Sequence, residues 1–466
     1  MYVVGETTDD HRFVFEQKDG VRPIDLNMED MFGKAPRTVM RDETVEEKYE
    51  DVTYNAADIH QYVEQVLQLE AVACKDWLTN KVDRSVTGKV DRQQCQGEIQ
   101  LPLSACGVVA LDYRGKAGIA TSIGHAPQAA MIDPAAGSVL SVAEALTNIV
   151  WAPLSEGLDS VSLSANWMWP CKNPGEDARL YKAVEACSRF ACELGINIPT
   201  GKDSLSMTQK YGDEKVYSPG TVIISAGAEV SDVKKVVSPV LVRDARTAVY
   251  YIDFSFDALS LGGSAFAQSL GKVGCQAPTV QDSEYFASAF NAIQQLISEG
   301  LILAGHDISA GGMITALLEM NFANTEGGLE VKLDKLPEKD LIKILFSENP
   351  GVLIQVKDRK AVEKILEEAG VGYAVVGHPC SERHILVSKD GAEYLFGIDH
   401  LRDVWFSSSY LLDRKQSGEA QAKARFLNYK EQPLHYHFGK SFTGKMEQYG
   451  ISADRRKPSG IKAAII

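Results

Sequence analysis

Twice along this 466-residue chain, short apolar and β-branched runs alternate with stretches of helical spacing, and that doubled alternation restricts the fold more than any other feature. In the first block, 71–230, segments 107–113, 118–122, 160–164 and 221–225 read as strands, and 139–151 and 175–194 as helices. The second block, 231–410, opens on a strand at 248–253. Helices near 283–299, 312–323 and 359–369 and strands near 352–356 and 384–388 follow. The pattern predicts an α+β fold of two tandem domains, each a sheet with helices packed on it. That suits the length, at about 150 residues per domain.

The flanks read differently. Segments 3–5 and 13–16 suggest two short strands joined by a turn, too little to bury a core, so 1–40 reads as the remnant of a preceding domain. Residues 41–70 form a charged linker followed by a helix at 56–69. Residues 411–458 read as a polar connector and 460–466 as the opening strand of a further core, so both ends look cut from something longer.

Lys and Arg total 48 against 63 Asp and Glu, a net charge of -15, which argues against nucleic acid or an anionic membrane as the main partner. No apolar run is long enough to span a bilayer, and no signal peptide is read at the start. Eight cysteines without a C-x-x-C pair read as reduced thiols of a cytoplasmic protein.

Four stretches could carry chemistry. In Pro199-Thr200-Gly201-Lys202-Asp203-Ser204, read as a turn, Lys202 could meet phosphate oxygens and Asp203 could offer oxygen to Mg2+; an ordinary polar loop is the plain alternative, since P-loop spacing is absent. Glu144 and Asn148 lie four apart on a helix and could share one Mg2+; alternatively Ser141 and Glu144 form a capping box. In Gly305-His306-Asp307-Ile308-Ser309-Ala310-Gly311-Gly312, glycines at a helix start suit an anion, with Asp307 for a cation and Ser309 for a phosphate; a simple helix cap is the alternative. Leu261-Gly262-Gly263-Ser264 is a second glycine-led corner. Phe346-Ser347-Glu348-Asn349 is a weak signal alone, and His435 and His437 read as surface. No Ser-His-Asp or Cys-His arrangement is legible.

Together these pieces resemble large-type phosphoribosylformylglycinamidine synthase, the fourth enzyme of purine biosynthesis. The matching stretches are Met1-Tyr2-Val3-Val4-Gly5-Glu6, Asp30-Met31-Phe32-Gly33, Thr87-Gly88, Glu144-Ala145-Leu146-Thr147-Asn148, Leu163-Ser164-Ala165-Asn166-Trp167, Pro174-Gly175-Glu176-Asp177, Gly201-Lys202-Asp203-Ser204 and His306-Asp307-Ile308-Ser309. They run in the family's order over nearly the whole chain.

The resemblance implies the second of two tandem halves, each like aminoimidazole ribonucleotide synthetase with its N- and C-terminal domains. Residues 1–40 would be the end of the first half, and 411–466 the connector to a glutaminase domain. It implies ATP or ADP with Mg2+ as cofactors, with Glu144, Asn148 and Asp307 as metal ligands and Ser104 and Ser309 as nucleotide contacts. Lys202 and Asp203 would lie toward substrate or phosphate. Where the family carries a metal-binding aspartate this sequence has Ala105, one charged ligand fewer. The implied reaction makes formylglycinamidine ribonucleotide from formylglycinamide ribonucleotide, ATP and glutamine. The isolated chain is expected to be inactive, or to serve as an ADP–magnesium scaffold. The implied partners are the first half, the glutaminase domain and a second copy, joined through the N-terminal-like domain. Selenophosphate synthetase and thiamine-phosphate kinase, of the same superfamily, fit these motifs less well.

Overall fold

Strand Gly118–Gly124 alternates buried and exposed residues along its whole length, as a strand covered on one face must. It pairs antiparallel with Thr221–Val230, Ile224 opposite Gly124. The resulting six-stranded sheet runs Val90–Arg92, Gly107–Ala110, Gly118–Gly124, Thr221–Val230, Ser162–Met168, Asn197–Ser204. Helix Pro134–Ile149 lies on its covered face; Pro134 occupies the first turn and the Asp133 carboxylate accepts from Ala135 N at 2.9 Å. The neighbouring helix Glu176–Glu193 takes its cap from a distant segment: Asp42 accepts from the backbone N–H groups of Gly175, Asp177 and Ala178. The sheet's other face leaves Val109, Ile119 and Ile123 at 40%, 48% and 57% exposure.

This is a computed structural model that describes residues 3–33, 39–45, 47–79, 82–452, 460 and 462. Its second sheet has seven strands, in the order Ile302–Ile308, Gly351–Val356, Ala248–Asp253, Tyr373–Cys380, Gly328–Lys332, His384–Lys389, Ala392–Gly397. Period-two alternation here feeds two cores. Tyr250, Ile252, Val352 and Ile354 join one with Phe286, Ile293 and Val362, while Val249 and Leu353 join the other with Val63, Met313, Leu317 and Trp405. The first core also holds Val142, Leu146 and Trp151, so the two lobes share it. Gln294 seals the joint: its Nε2 donates to Val150 O at 2.6 Å and Ala152 O at 3.1 Å, and its Oε1 accepts from Leu154 N at 2.8 Å. The fold is α+β. No helix among the described residues is long and apolar enough to cross a membrane.

Three expectations change. The hairpin near the start pairs Arg12–Phe15 with Ile24–Asn27, not with residues 3–5, and none of its residues is buried. Residues 411–428, expected as connector, belong to helices Ile398–Ser417 and Glu419–Asn428. The second of these is tied down by Arg425, which grips Asp76 through two hydrogen bonds of 2.8 and 3.1 Å. The stretch around Gly201 is an edge strand, Asn197–Ser204, rather than a turn. A parallel neighbour, Ser162–Met168, supplies hydrogen-bond partners that local sequence cannot reveal. The strand expected at 460–466 lies outside the described residues apart from Gly460 and Lys462.

Candidate functional site at the junction of the lobes

Helix Pro134–Ile149 can deliver Glu144 to the junction only because position 124 is glycine. A Cβ there would stand 2.3 Å from both Ala145 N and Ser141 O. The close approach lets Glu144 Oε2 accept from His125 N at 2.8 Å. One turn on, Asn148 Nδ2 donates to Ile123 O at 2.8 Å, which leaves its carbonyl oxygen as an acceptor. The capping-box alternative is not what forms: Ser141 is mid-helix, donating to Gly137 O and accepting from Ala126 N.

From the other lobe, strand Ile302–Ile308 brings His306 and Asp307, 6% and 2% exposed. A Cβ at Gly305 would lie 2.1 Å from the Trp151 ring, so glycine at 305 lets the indole seat directly on the strand. His306 Nδ1 lies 2.8 Å from Asp307 O, and its Nε2 is 3.0 Å from Glu319 Oε2, off hydrogen-bonding angle. Burial pulls the imidazole down, but the Glu319 and Asp307 carboxylates prevail and raise it to about 9.

Glu144 and Asp307 border different hollows, and Asn148 and Glu319 line neither. One, of about 70 Å³, is lined by Glu144, Ser309, Glu348 and His125. The other, of about 10 Å³, holds Ser104, Ala105, Asp307, Arg92, Trp151 and His306. Arg92, Ser104 and Ala105 also border a wide groove of about 820 Å³ that runs along the open sheet face. Burial pushes Glu144 up to about 8, and Asp307 and Glu348 push it further in the same direction. Burial likewise raises Glu348 to about 7, and raises Asp307. Acidic groups so disfavoured as anions are suited to a cation that would neutralise them.

In the smaller hollow Arg92 Nε and Ser104 Oγ are buried without a hydrogen-bond partner among the described residues, while Trp151 Nε1 lies toward Asp307 and His306 Nε2 toward Glu319. Buried orphans are costly, and a bound polar group would satisfy these two. Carboxylate and amide oxygens are the donors a hard divalent cation takes, but the expected set is divided: Glu144 and Ser309 line the larger hollow, Asp307 and Ser104 the smaller, and Asn148 lines neither. The set is lean in charge. No group of three or more His, Cys, Asp or Glu side chains placed to hold a metal occurs among the described residues, and Ala105 adds no ligand.

Two readings move. The glycine-led corners do not present free N–H groups: Gly311 N at 2.7 Å and Ala265 N at 2.8 Å both donate to Glu348 Oε1. A carboxylate from within the chain fills the anion position, and the weak signal at residues 346–349 gave no hint of it. Arg92, Trp151 and Glu319 were equally invisible, since each reaches the junction from a remote segment. Lys202 and Asp203 sit apart from this site; both are exposed, Lys202 meets Ser204 Oγ, and neither lines the hollows.

Residues 74–229 match the FGAR-AT PurM_N-like domain, and residues 254–388 the AIR synthase related protein, C-terminal domain. Homo sapiens phosphoribosylformylglycinamidine synthase is 38% identical over 428 residues, covering 90% of this chain. The chain belongs to the phosphoribosylformylglycinamidine synthase family. A probable synthase from Caenorhabditis elegans is 36% identical over 431 residues, 86% of this chain. The chain spans 31% and 32% of the lengths of these two synthases. Among solved structures, T. maritima PurL complexed with FGAR superposes with a TM-score of 0.57 at 16% identity, over 74% of this chain and 53% of that one, a likeness of fold. Within the synthase family, then, this chain presents an N-like domain and an AIR-synthase-type C-terminal domain with a buried acidic junction between them.

Proposed function

We propose that this chain is the nucleotide- and magnesium-holding second half of a phosphoribosylformylglycinamidine synthase, comprising domains at 71–230 and 231–410. The observation that carries the reading is that burial raises the Glu144 and Asp307 carboxylates at the lobe junction, where Arg92 Nε and Ser104 Oγ are buried without a partner among the described residues. Solved structures of T. maritima PurL hold FGAR in one case and ATP in another, which supports the same ligand classes here.

In this reading Glu144, Asn148 and Asp307 hold Mg2+, and Ser104 and Ser309 contact ADP or ATP. The metal would supply charge neutralisation for phosphoryl oxygens. Arg92 and Trp151 donate toward the same group, the Glu319 carboxylate keeps His306 cationic beside Asp307, and Glu348 holds two backbone N–H groups that shape the wall. Lys202 and Asp203, on an exposed sheet edge, serve substrate or phosphate only once a further domain lies against that edge.

The whole reaction, formylglycinamide ribonucleotide with ATP and glutamine giving formylglycinamidine ribonucleotide, is assigned to this chain acting with the first half and a glutaminase domain in the cytoplasm. By itself the chain is a non-catalytic ADP–magnesium scaffold. The exposed apolar sheet face with Val109, Ile119 and Ile123 is proposed to meet a second copy or the first half. Mixing the chain with a separately produced first half, ATP, formylglycinamide ribonucleotide and ammonia tests the assignment. Phosphate release only in the mixture is expected; release at no mixing ratio leaves the scaffold role alone.

A further inference from the structure

Behind the acidic junction lies a cavity of about 490 Å³, a size typical of pockets for small organic ligands. The extended segment 347–349 separates the two: Glu348 faces the junction hollow, while Ser347 and Asn349 face this cavity. Its lining includes the apolar side chains of Leu259, Met313, Leu336 and Ile344. The same lining presents three carboxylates, Asp253, Asp257 and Glu338; Lys339 is the one cation lining it among the described residues, and it is exposed.

Backbone donors fix these carboxylates in place. Asp253 accepts from Ser255 N at 3.1 Å, Ser255 Oγ at 2.7 Å and Phe256 N at 2.8 Å. Asp257 accepts from Ala258 N at 2.9 Å and Thr279 N at 3.0 Å. Glu338 accepts from Lys339 N and Asp340 N at 2.7 and 2.9 Å. Each carboxylate oxygen has lone pairs left beyond these bonds. The Tyr251 phenol, 3.5 Å from Asp253 Oδ1, adds an aromatic wall beside them. A pocket lined by apolar side chains and rigidly held acceptors, with almost no positive charge, selects a ligand that combines an apolar body with a cationic group.

We infer that this cavity binds a small organic ammonium with an apolar body, such as an aromatic amine. Neither the phosphate- nor the metal-binding role of the neighbouring junction requires it.

Tryptamine is the probe, with indole-3-propionate as its anionic counterpart, titrated calorimetrically into the full chain. Saturable tryptamine binding at least about tenfold tighter than that of indole-3-propionate is expected, the worth of one shielded ion contact. Leu259→Trp, which fills the cavity, abolishes it. Asp257→Asn combined with Glu338→Gln, both in the cavity lining, weakens it by about tenfold or more and decides the matter should Leu259→Trp not fold. Absence of saturable binding, equal affinity for the two probes, or undiminished binding in both variants overturns the inference.

Discussion

Asp203 and Asp307 are both aspartates on edge strands, each with a glycine and a serine close by, yet their surroundings are opposite. Asp203 lies on Asn197–Ser204, exposed along nearly its whole length. Asp307 lies on Ile302–Ile308, buried at every position but one. The difference comes from what rests against each edge. Strand Ile302–Ile308 receives the first lobe: Trp151 seats on Gly305. Nothing among the described residues covers Asn197–Ser204 in that way. An edge strand becomes a site when a second lobe closes over it and excludes water, because only then do its carboxylates carry a strong electrostatic cost that a bound cation relieves.

The comparison breaks most visibly at Gly305. Gly305→Val should cost about 3 kcal/mol in urea unfolding, because a Cβ there collides with the Trp151 ring. Next is ligand affinity: Asp307→Asn should weaken binding of Mg2+–ADP by about 100-fold, while Asp203→Asn changes it by less than about twofold in calorimetry on the same chain. At the open face of the first sheet, Ile123→Asp should weaken self-association by about tenfold in sedimentation, since it places a charge in an apolar contact.

The pH dependence sharpens the contrast further. Glu144 is raised from 4.5 to about 8 in the fold, so the protonated form is the one that stabilises it. That contribution is complete below about pH 4.5 and is lost as pH rises through about 8. Without metal, the melting temperature of the native chain should therefore fall relative to Glu144→Gln between pH 6 and 8 by about 2 °C or more, and Mg2+ should reverse the trend. Smallest of all, Lys202→Ala should shift stability by less than about 0.5 kcal/mol, as an exposed residue does.

Elements of strong internal period were legible in the sequence. Strand Ala248–Asp253 and helix Ser283–Ser298 lie where alternation and helical spacing put them. Strand Ile302–Ile308 was not, because its glycine and polar residues interrupt any alternation, and its pairing partner Gly351–Val356 is remote. Edge strand Asn197–Ser204 was missed for the same reason. The helices over 411–428 were hidden by a polar composition that is explained only by the few contacts, such as Arg425 with Asp76, that pin them. At the site, Glu144, Asp307, Ser104 and Ser309 could be named from the family resemblance. Glu348 could not: its role depends on two N–H groups, at 265 and 311, that only the folded chain brings to one carboxylate.

The central claim is that the lobe junction grips a magnesium nucleotide through carboxylates of which Glu144 is protonated when no cation is bound. Calorimetric titration of Mg2+–ADP into the chain at pH 7, in two buffers of different ionisation enthalpy, addresses it directly. The account predicts saturable, magnesium-dependent binding that releases protons and is lost in Glu144→Gln. Binding without proton release, binding indifferent to that substitution, or no binding at all would contradict it.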